Sequence, residues 1–240
     1  MIPRVINQIW IGPHDPPYEL MDGWRLPGWD YRLWRDEDID QLGLLNRRTY
    51  NHYRRVERWS GAANIARVEI LADQGGVYID ADIEMVSPLD DAPFMDAQMW
   101  AVRSPLPNRL NNAAMGCVPG AAGMLAYLEE LARVAPWWRP LIRQSLHPSA
   151  QVTGGSLLTS IAAAHDVVWV DAGAFTVHDQ HGNPIAYDGV VYGDHKWGTT
   201  SGRWQPSKST TEWRRLIAKS RRLRRTYHWI RGTRPWEDLT

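Results

Sequence analysis

The chain has 240 residues, enough for one domain with a well-buried core. Apolar residues at 44% and charged residues at 22% exclude a disordered composition, and a formal net charge of +0 excludes a whole-surface attraction to nucleic acid. The single cysteine, Cys117, excludes an intrachain disulfide, and no apolar run reaches the length of a bilayer span. The start, Met1-Ile2-Pro3-Arg4-Val5, lacks a signal-peptide layout, so the expectation is one cytosolic, cytoplasmic domain over residues 1–240. With no base or cation beside it in sequence, Cys117 reads as structural.

In chain order, Val5 to Ile11 is an apolar run closed by Gly12-Pro13, a first buried strand. Tyr31 to Trp34 reads as a second. Asp36 is placed to cap a short helix through Leu42, stopped by Gly43. A polar helix is expected from about Arg48 to Trp59. Ser60 then reads as the N-cap of a helix from Gly61 to Asp73, with Ile65, Val68, Leu71 and Ala72 as its apolar stripe. Gly75-Gly76 ends it.

Next comes an alternation in which Val77, Ile79, Ala81 and Ile83 interleave with Tyr78, Asp80, Asp82 and Glu84. If this segment is extended, Asp80 and Asp82 point to one side about 6.6 Å apart, close enough to serve one metal-diphosphate cluster. A strand at Met99 to Val102, a loop around Asn108 to Asn112 and a helix from about Ala121 to Arg133 follow. Pro136, Pro140 and Pro148 punctuate an irregular stretch, Val167 to Val170 reads as a strand, and Trp213 to Tyr227 as a basic helix. Helices alternating with short apolar strands indicate an α/β sandwich.

Residues 201–240 hold eleven Lys/Arg against three acids, so residues 1–200 carry the compensating deficit. This basic C-terminal tail, from about residue 205, reads as a solvated helix face or a contact for an anionic partner.

Asp80-Ala81-Asp82 carries the chemistry. Diphosphate oxygens are hard ligands, and Mg²⁺ or Mn²⁺ is commonly bridged to protein by one or two carboxylates. Such an ion neutralises charge on a departing diphosphate. The spacing alone is weak evidence, because exposed strand faces carry it harmlessly.

The text around it is more specific. Ala63-Asn64-Ile65-Ala66-Arg67-Val68-Glu69-Ile70-Leu71 leads through Gly75-Gly76-Val77-Tyr78-Ile79-Asp80-Ala81-Asp82 to Pro88-Leu89-Asp90. This resembles the sugar-binding region of the family 32 glycosyltransferases, related to yeast mannosyltransferases and clostridial toxin glucosyltransferase domains. The opening, Ile2 to Gly12, is similar to that family's first strand, and Tyr31 to Trp34 with Asp36 to Ile39 is similar to its second strand and following helix. Asn112 to Gly120 and Val152 to Thr159 match more loosely. His195-Lys196-Trp197-Gly198-Thr199-Thr200 resembles a variant of the family's His-His-Trp-Ala-Gly-Ser-Trp segment.

The resemblance implies a GT-A fold: one Rossmann-like α/β domain with a mixed central sheet. It also implies retaining transfer from a nucleoside-diphosphate sugar donor, usually with Mn²⁺ (or Mg²⁺). Carried over by position, Trp10 would lie against the base, with Asn64 and Arg67 at the donor sugar or phosphates. Asp80 would bind ribose and sugar hydroxyls, Asp82 the metal, and His195 would complete the metal shell. Arg67, Asp80 and Asp82 are then the catalytic candidates. The family commonly has Asp where this chain has Asn64, and Ser201 replaces the final Trp of the C-terminal segment, with Trp204 as a potential substitute. Trp10 as a core indole, Arg67 as the partner of a helix neighbour and a structural His195 are the plainer alternatives. The acceptor, whether protein, glycan or lipid, is left open. A nucleotide-sugar hydrolase using the same site and a non-catalytic carbohydrate-binding module are the rival functions.

Overall fold

The computed structural model describes residues 1–134 and 153–198. The expected basic helix at Trp213 to Tyr227, Ser201, Trp204 and the stretch with Pro136, Pro140 and Pro148 lie outside the described residues. Among those described, no helix is long and apolar enough to cross a membrane.

The elements are β1 (Val5–Ile9), α1 (Tyr18–Met21), β2 (Asp30–Trp34), α2 (Asp36–Gln41), α3 (Arg47–Arg55), α4 (Trp59–Gln74), β3 (Gly76–Ile79), β4 (Ile83–Met85), β5 (Met99–Arg103), β6 (Leu110–Cys117), α5 (Ala122–Val134), α6 (Gly155–Ala162), β7 (Val168–Val170) and β8 (Gly193–His195). Six strands form one sheet in the order β2-β1-β3-β6-β5-β7, and β4 pairs with β8 in a separate ribbon. The sheet is mixed. β1 runs parallel to β2 and β3, β6 is antiparallel to both β3 and β5, and β7 is parallel to β5.

Strand residues feed two cores in alternation. Tyr78, Met99 and Ala101 pack with the helices on one face, while Val77, Ile79, Trp100 and Val102 join Trp24, Phe94 and Phe175 on the other. Both faces are therefore covered, which is why these strands read as near-continuous apolar runs. Cys117 is buried in the helical-side core and donates to the Leu71 carbonyl at 3.3 Å, and burial pushes its thiol up to about 12.

Several local expectations are corrected. Ser60 is not the cap of α4. The helix starts at Trp59 with Arg58 at the N-cap, after Glu57 breaks the preceding segment with a φ of 53°. Asp36 opens α2 rather than capping it. Asp38 accepts the Arg35 N–H at 2.8 Å, leaving the Asp36 carboxylate to accept from Gly12 N–H at 2.8 Å and pair with Arg54 at 2.8 Å. The loop expected around Asn108 to Asn112 gives way at Leu110 to β6, a strand whose Ala-Ala-Met-Gly-Cys stretch carries little β-branched signal.

The turn from α4 into β3 depends on Gly75 and Gly76, with φ of 65° and 91°. A Cβ on Gly76 would come within 2.8 Å of the Val5 carbonyl oxygen, so glycine also permits the close approach of β1.

Candidate active site

The two aspartates do not lie on one continuous strand. β3 stops at Ile79, and the Ile83 N–H donates to the Asp80 carbonyl at 3.0 Å, closing a turn before β4 begins. It is this turn, rather than a strand repeat, that brings the carboxylates together. Asp80 is tied at its N–H to the Ala113 carbonyl of β6 at 2.7 Å. The turn therefore sits at the carboxyl end of β3, where ligands gather in open α/β sheets.

His195 arrives from far along the chain. In the β4–β8 ribbon it is the register partner of Ile83, so its imidazole stands beside Asp82, Nε2 to Oδ1 at 3.2 Å. Asp80, Asp82 and His195 each offer one ligand atom, and these atoms all lie within 4.8 Å of one another. Two carboxylates and an imidazole form a donor set suited to Mn²⁺ and acceptable to Mg²⁺, so the residues present fit a divalent cation.

Arg67 reaches the turn from the middle of α4. Its guanidinium is 4% exposed and pairs with Asp80 Oδ1 at 2.9 Å. It also donates to the Asn112 and Ala63 carbonyls and lies 4.2 Å over the Tyr78 ring. Tyr78 O–H donates to the same Asp80 oxygen at 2.7 Å. Asn64, one turn earlier on α4, accepts from the Asn112 amide at 2.9 Å and donates to Thr153 at 3.1 Å. Arg67 and Asn64 thus share Asn112 as a neighbour, and both are buried.

Trp10 follows β1. The parallel register sets Asn7 opposite Tyr78, which carries Trp10 to a level just past Asp80. Its N–H donates to the Trp34 carbonyl at 3.0 Å and its indole N–H to the His14 carbonyl at 2.7 Å. The half-buried indole therefore belongs to the loop at the sheet's carboxyl edge rather than to the core.

The electrostatics separate the two aspartates. Burial raises the Asp80 pKa, Arg67 opposes the rise, and the neighbouring Asp82 charge adds to it. Burial also acts against the Asp82 charge, but His195 and the Gly198 N–H, which donates at 2.8 Å, outweigh it and hold Asp82 below the usual carboxylate range. His195 is pushed upward because Asp82 overcomes the burial that would lower it. Burial leads in raising Tyr78 well above the usual phenol value, so its hydroxyl is a donor at neutral pH.

Tyr78, Asn112, Thr153 and the Trp197-Gly198 pair also touch the candidate residues, although the sequence assigned none of them a role. Tyr78 stands inside the Asp80 alternation, and Asn112 opens a stretch that carried part of the family resemblance. Their hydrogen-bond roles had no periodic signal.

Comparison with known proteins bears on the family and the fold. Residues 20–100 match the family described as glycosyltransferase sugar-binding region containing DXD motif. Inositol phosphoceramide mannosyltransferase 3 of Schizosaccharomyces pombe is 28% identical over 152 residues, covering 56% of this chain. The aligned part spans only 38% of that relative's length. Among solved structures, PaToxG Glycosyltransferase has a TM-score of 0.53 at 14% identity, covering 68% of this chain and 69% of that one. At that identity the likeness is one of fold, a GT-A-type mixed α/β sheet.

Proposed function

We propose that this chain, a family 32-like glycosyltransferase, moves a sugar from a nucleoside-diphosphate donor to an acceptor in a metal-dependent, retaining reaction. The observation that carries the reading is the convergence of Asp80, Asp82 and His195 at the carboxyl edge of β3, with Arg67 locked against Asp80. Asp82 and His195 would hold a divalent cation, Mn²⁺ or Mg²⁺. Such an ion, when bound, neutralises charge on the leaving diphosphate.

The remaining work falls to the protein. Arg67 and Tyr78 fix the orientation of the Asp80 carboxylate toward donor hydroxyls, while Asn64 and Arg67 define the floor beneath the donor sugar. Trp10, at the adjacent strand end, offers an indole face to the base. Two nearby acids are engaged elsewhere. Lys196 Nζ pairs with Glu84 at 2.7 Å and with Asp194 at 2.6 Å, so neither stands free as the opposite-face base an inverting reaction needs. Retention itself is taken from the family resemblance, with the leaving diphosphate assisting from its own face.

The decisive experiment screens nucleotide sugars for release of free nucleotide, with EDTA and with added Mn²⁺ or Mg²⁺. A nucleoside-diphosphate mannose and an inositol-containing lipid acceptor are the first pair to try, given what the yeast relative is named for. NMR of the product's anomeric proton should show an α-linkage from an α-linked donor. Metal-independent release, or a β-linkage, would overturn the corresponding half of the proposal.

A further inference from the structure

Asp82 is enclosed by one short stretch of chain. Lys196 N–H donates to its carbonyl at 2.8 Å, His195 Nε2 stands 3.2 Å from Oδ1, and Gly198 N–H donates to Oδ2 at 2.8 Å. For residues 195 to 198 to reach one aspartate three times, the backbone must fold back on itself between Lys196 and Gly198. It does so at Trp197, whose φ of 52° is in the left-handed region that bulky residues rarely enter. The indole is fastened on two sides. Its ring lies 4.0 Å from the His195 imidazole with the planes 23° apart, and its N–H donates to the His178 carbonyl at 2.9 Å. A residue in such a conformation persists when its surroundings over-determine it, and such residues cluster at functional sites.

We propose that Trp197 is a positioning residue for the cation site: its stacked indole fixes the plane of the His195 ring, and its left-handed backbone aims the Gly198 N–H at Asp82. This rests on the cation reading above. The imidazole torsion about its terminal bond is broad when nothing packs on the ring, so an unstacked His195 would present Nε2 over a range of directions. The stack narrows that range. Gly198, by holding one Asp82 oxygen, turns the other toward His195 and the space shared with Asp80. The strand pair beneath is held independently, because Lys196 bridges Glu84 on β4 and Asp194 on β8. Removing the indole therefore leaves His195 in place along the backbone, while freeing its side chain and the turn that carries Gly198.

The test is Mn²⁺ binding to the full chain, followed by EPR titration, with electron spin-echo modulation reporting histidine nitrogen on the ion. Groups that orient metal ligands contribute about 10- to 100-fold in affinity. Trp197→Ala should weaken Mn²⁺ binding by about tenfold and lose the nitrogen modulation, while Trp197→Phe, which keeps a ring to stack, should stay closer to the unsubstituted protein. If Trp197→Ala does not give a cooperative unfolding transition in EDTA, Trp197→Leu takes its place against Trp197→Phe, with the aromatic variant expected to bind more tightly. Undiminished affinity and modulation in the non-aromatic variant would overturn the role of Trp197 and leave the cation site standing. Failure of the unsubstituted protein to bind Mn²⁺ would overturn both.

Discussion

Removing the Arg67 side chain should destabilise the fold as well as impair donor use, and the structure sets the size of the first effect. Arg67→Ala deletes a guanidinium that is 4% exposed and 2.9 Å from Asp80 Oδ1, and it leaves the Asn112 carbonyl without that donor. Breaking a buried pair by removing one partner costs about 3 to 5 kcal/mol, mainly because the other charge is stranded. The Asp80 side chain is 26% exposed and keeps the Tyr78 hydroxyl, so the lower end applies, about 3 kcal/mol. For a chain of this size that lowers Tm by about 6 to 12 °C. Urea unfolding in EDTA of Arg67→Ala, Asp80→Asn and the double variant checks the cause. With the carboxylate charge gone, the arginine is missed less, so the double variant should be more stable than the summed single losses by about 1 to 3 kcal/mol. A single-variant cost below about 1 kcal/mol, or additivity within about 0.5 kcal/mol, would refute the claim that Arg67 exists to compensate Asp80. In turnover, donor kcat/KM should fall by at least about tenfold, the order expected for a lost charged hydrogen bond.

Asp82→Asn, which keeps an acceptor for the Gly198 N–H at this buried position, should abolish metal-dependent turnover; near-normal activity in EDTA-stripped protein resupplied with Mn²⁺ would sink the metal assignment. Gly76→Ala should cost at least about 1 kcal/mol, since it combines a left-handed φ with a contact of 2.8 Å to the Val5 carbonyl, and thermal unfolding measures it directly. Because burial pushes the Cys117 thiol up to about 12, iodoacetamide at pH 8 should leave the native protein unlabelled and modify it only in denaturant, as mass spectrometry would show.

What could be read from sequence was whatever local periodicity or a matching stretch of text encodes. β1, β2, α4 and β3 fall within a few residues of their expected places because apolar runs and the Gly75-Gly76 break mark them. β6 escaped because its central residues are small and its signal is supplied by neighbours: β3 and β5 pair with it from either side. Ser60 and Asp36 misled for a related reason. Each is a good capping residue, but the start of α4 is set by the break at Glu57, and the Asp36 carboxylate is claimed by Gly12 and Arg54. At the site, the Asp80-Ala81-Asp82 spacing was legible but its geometry was not. A tight turn, visible only once β3 ends and β4 begins, brings the carboxylates together. The hydrogen bonds joining Asn64 to Asn112 and Thr153 span 48 and 89 residues and leave no local trace.

The ribbon of β4 with β8 gives the site a history as well as a shape. Asp80 and Asp82 meet in the turn between β3 and β4, yet their third companion lies 113 residues beyond Asp82 and docks only when Gly193–His195 pair with Ile83–Met85. Closing so long a loop is slow compared with forming helices and near-neighbour strands. Until that pairing forms, the turn holds its two carboxylates without the imidazole beside them. In the cation reading proposed above, the full donor set of Asp80, Asp82 and His195 therefore exists only once β8 has paired with β4.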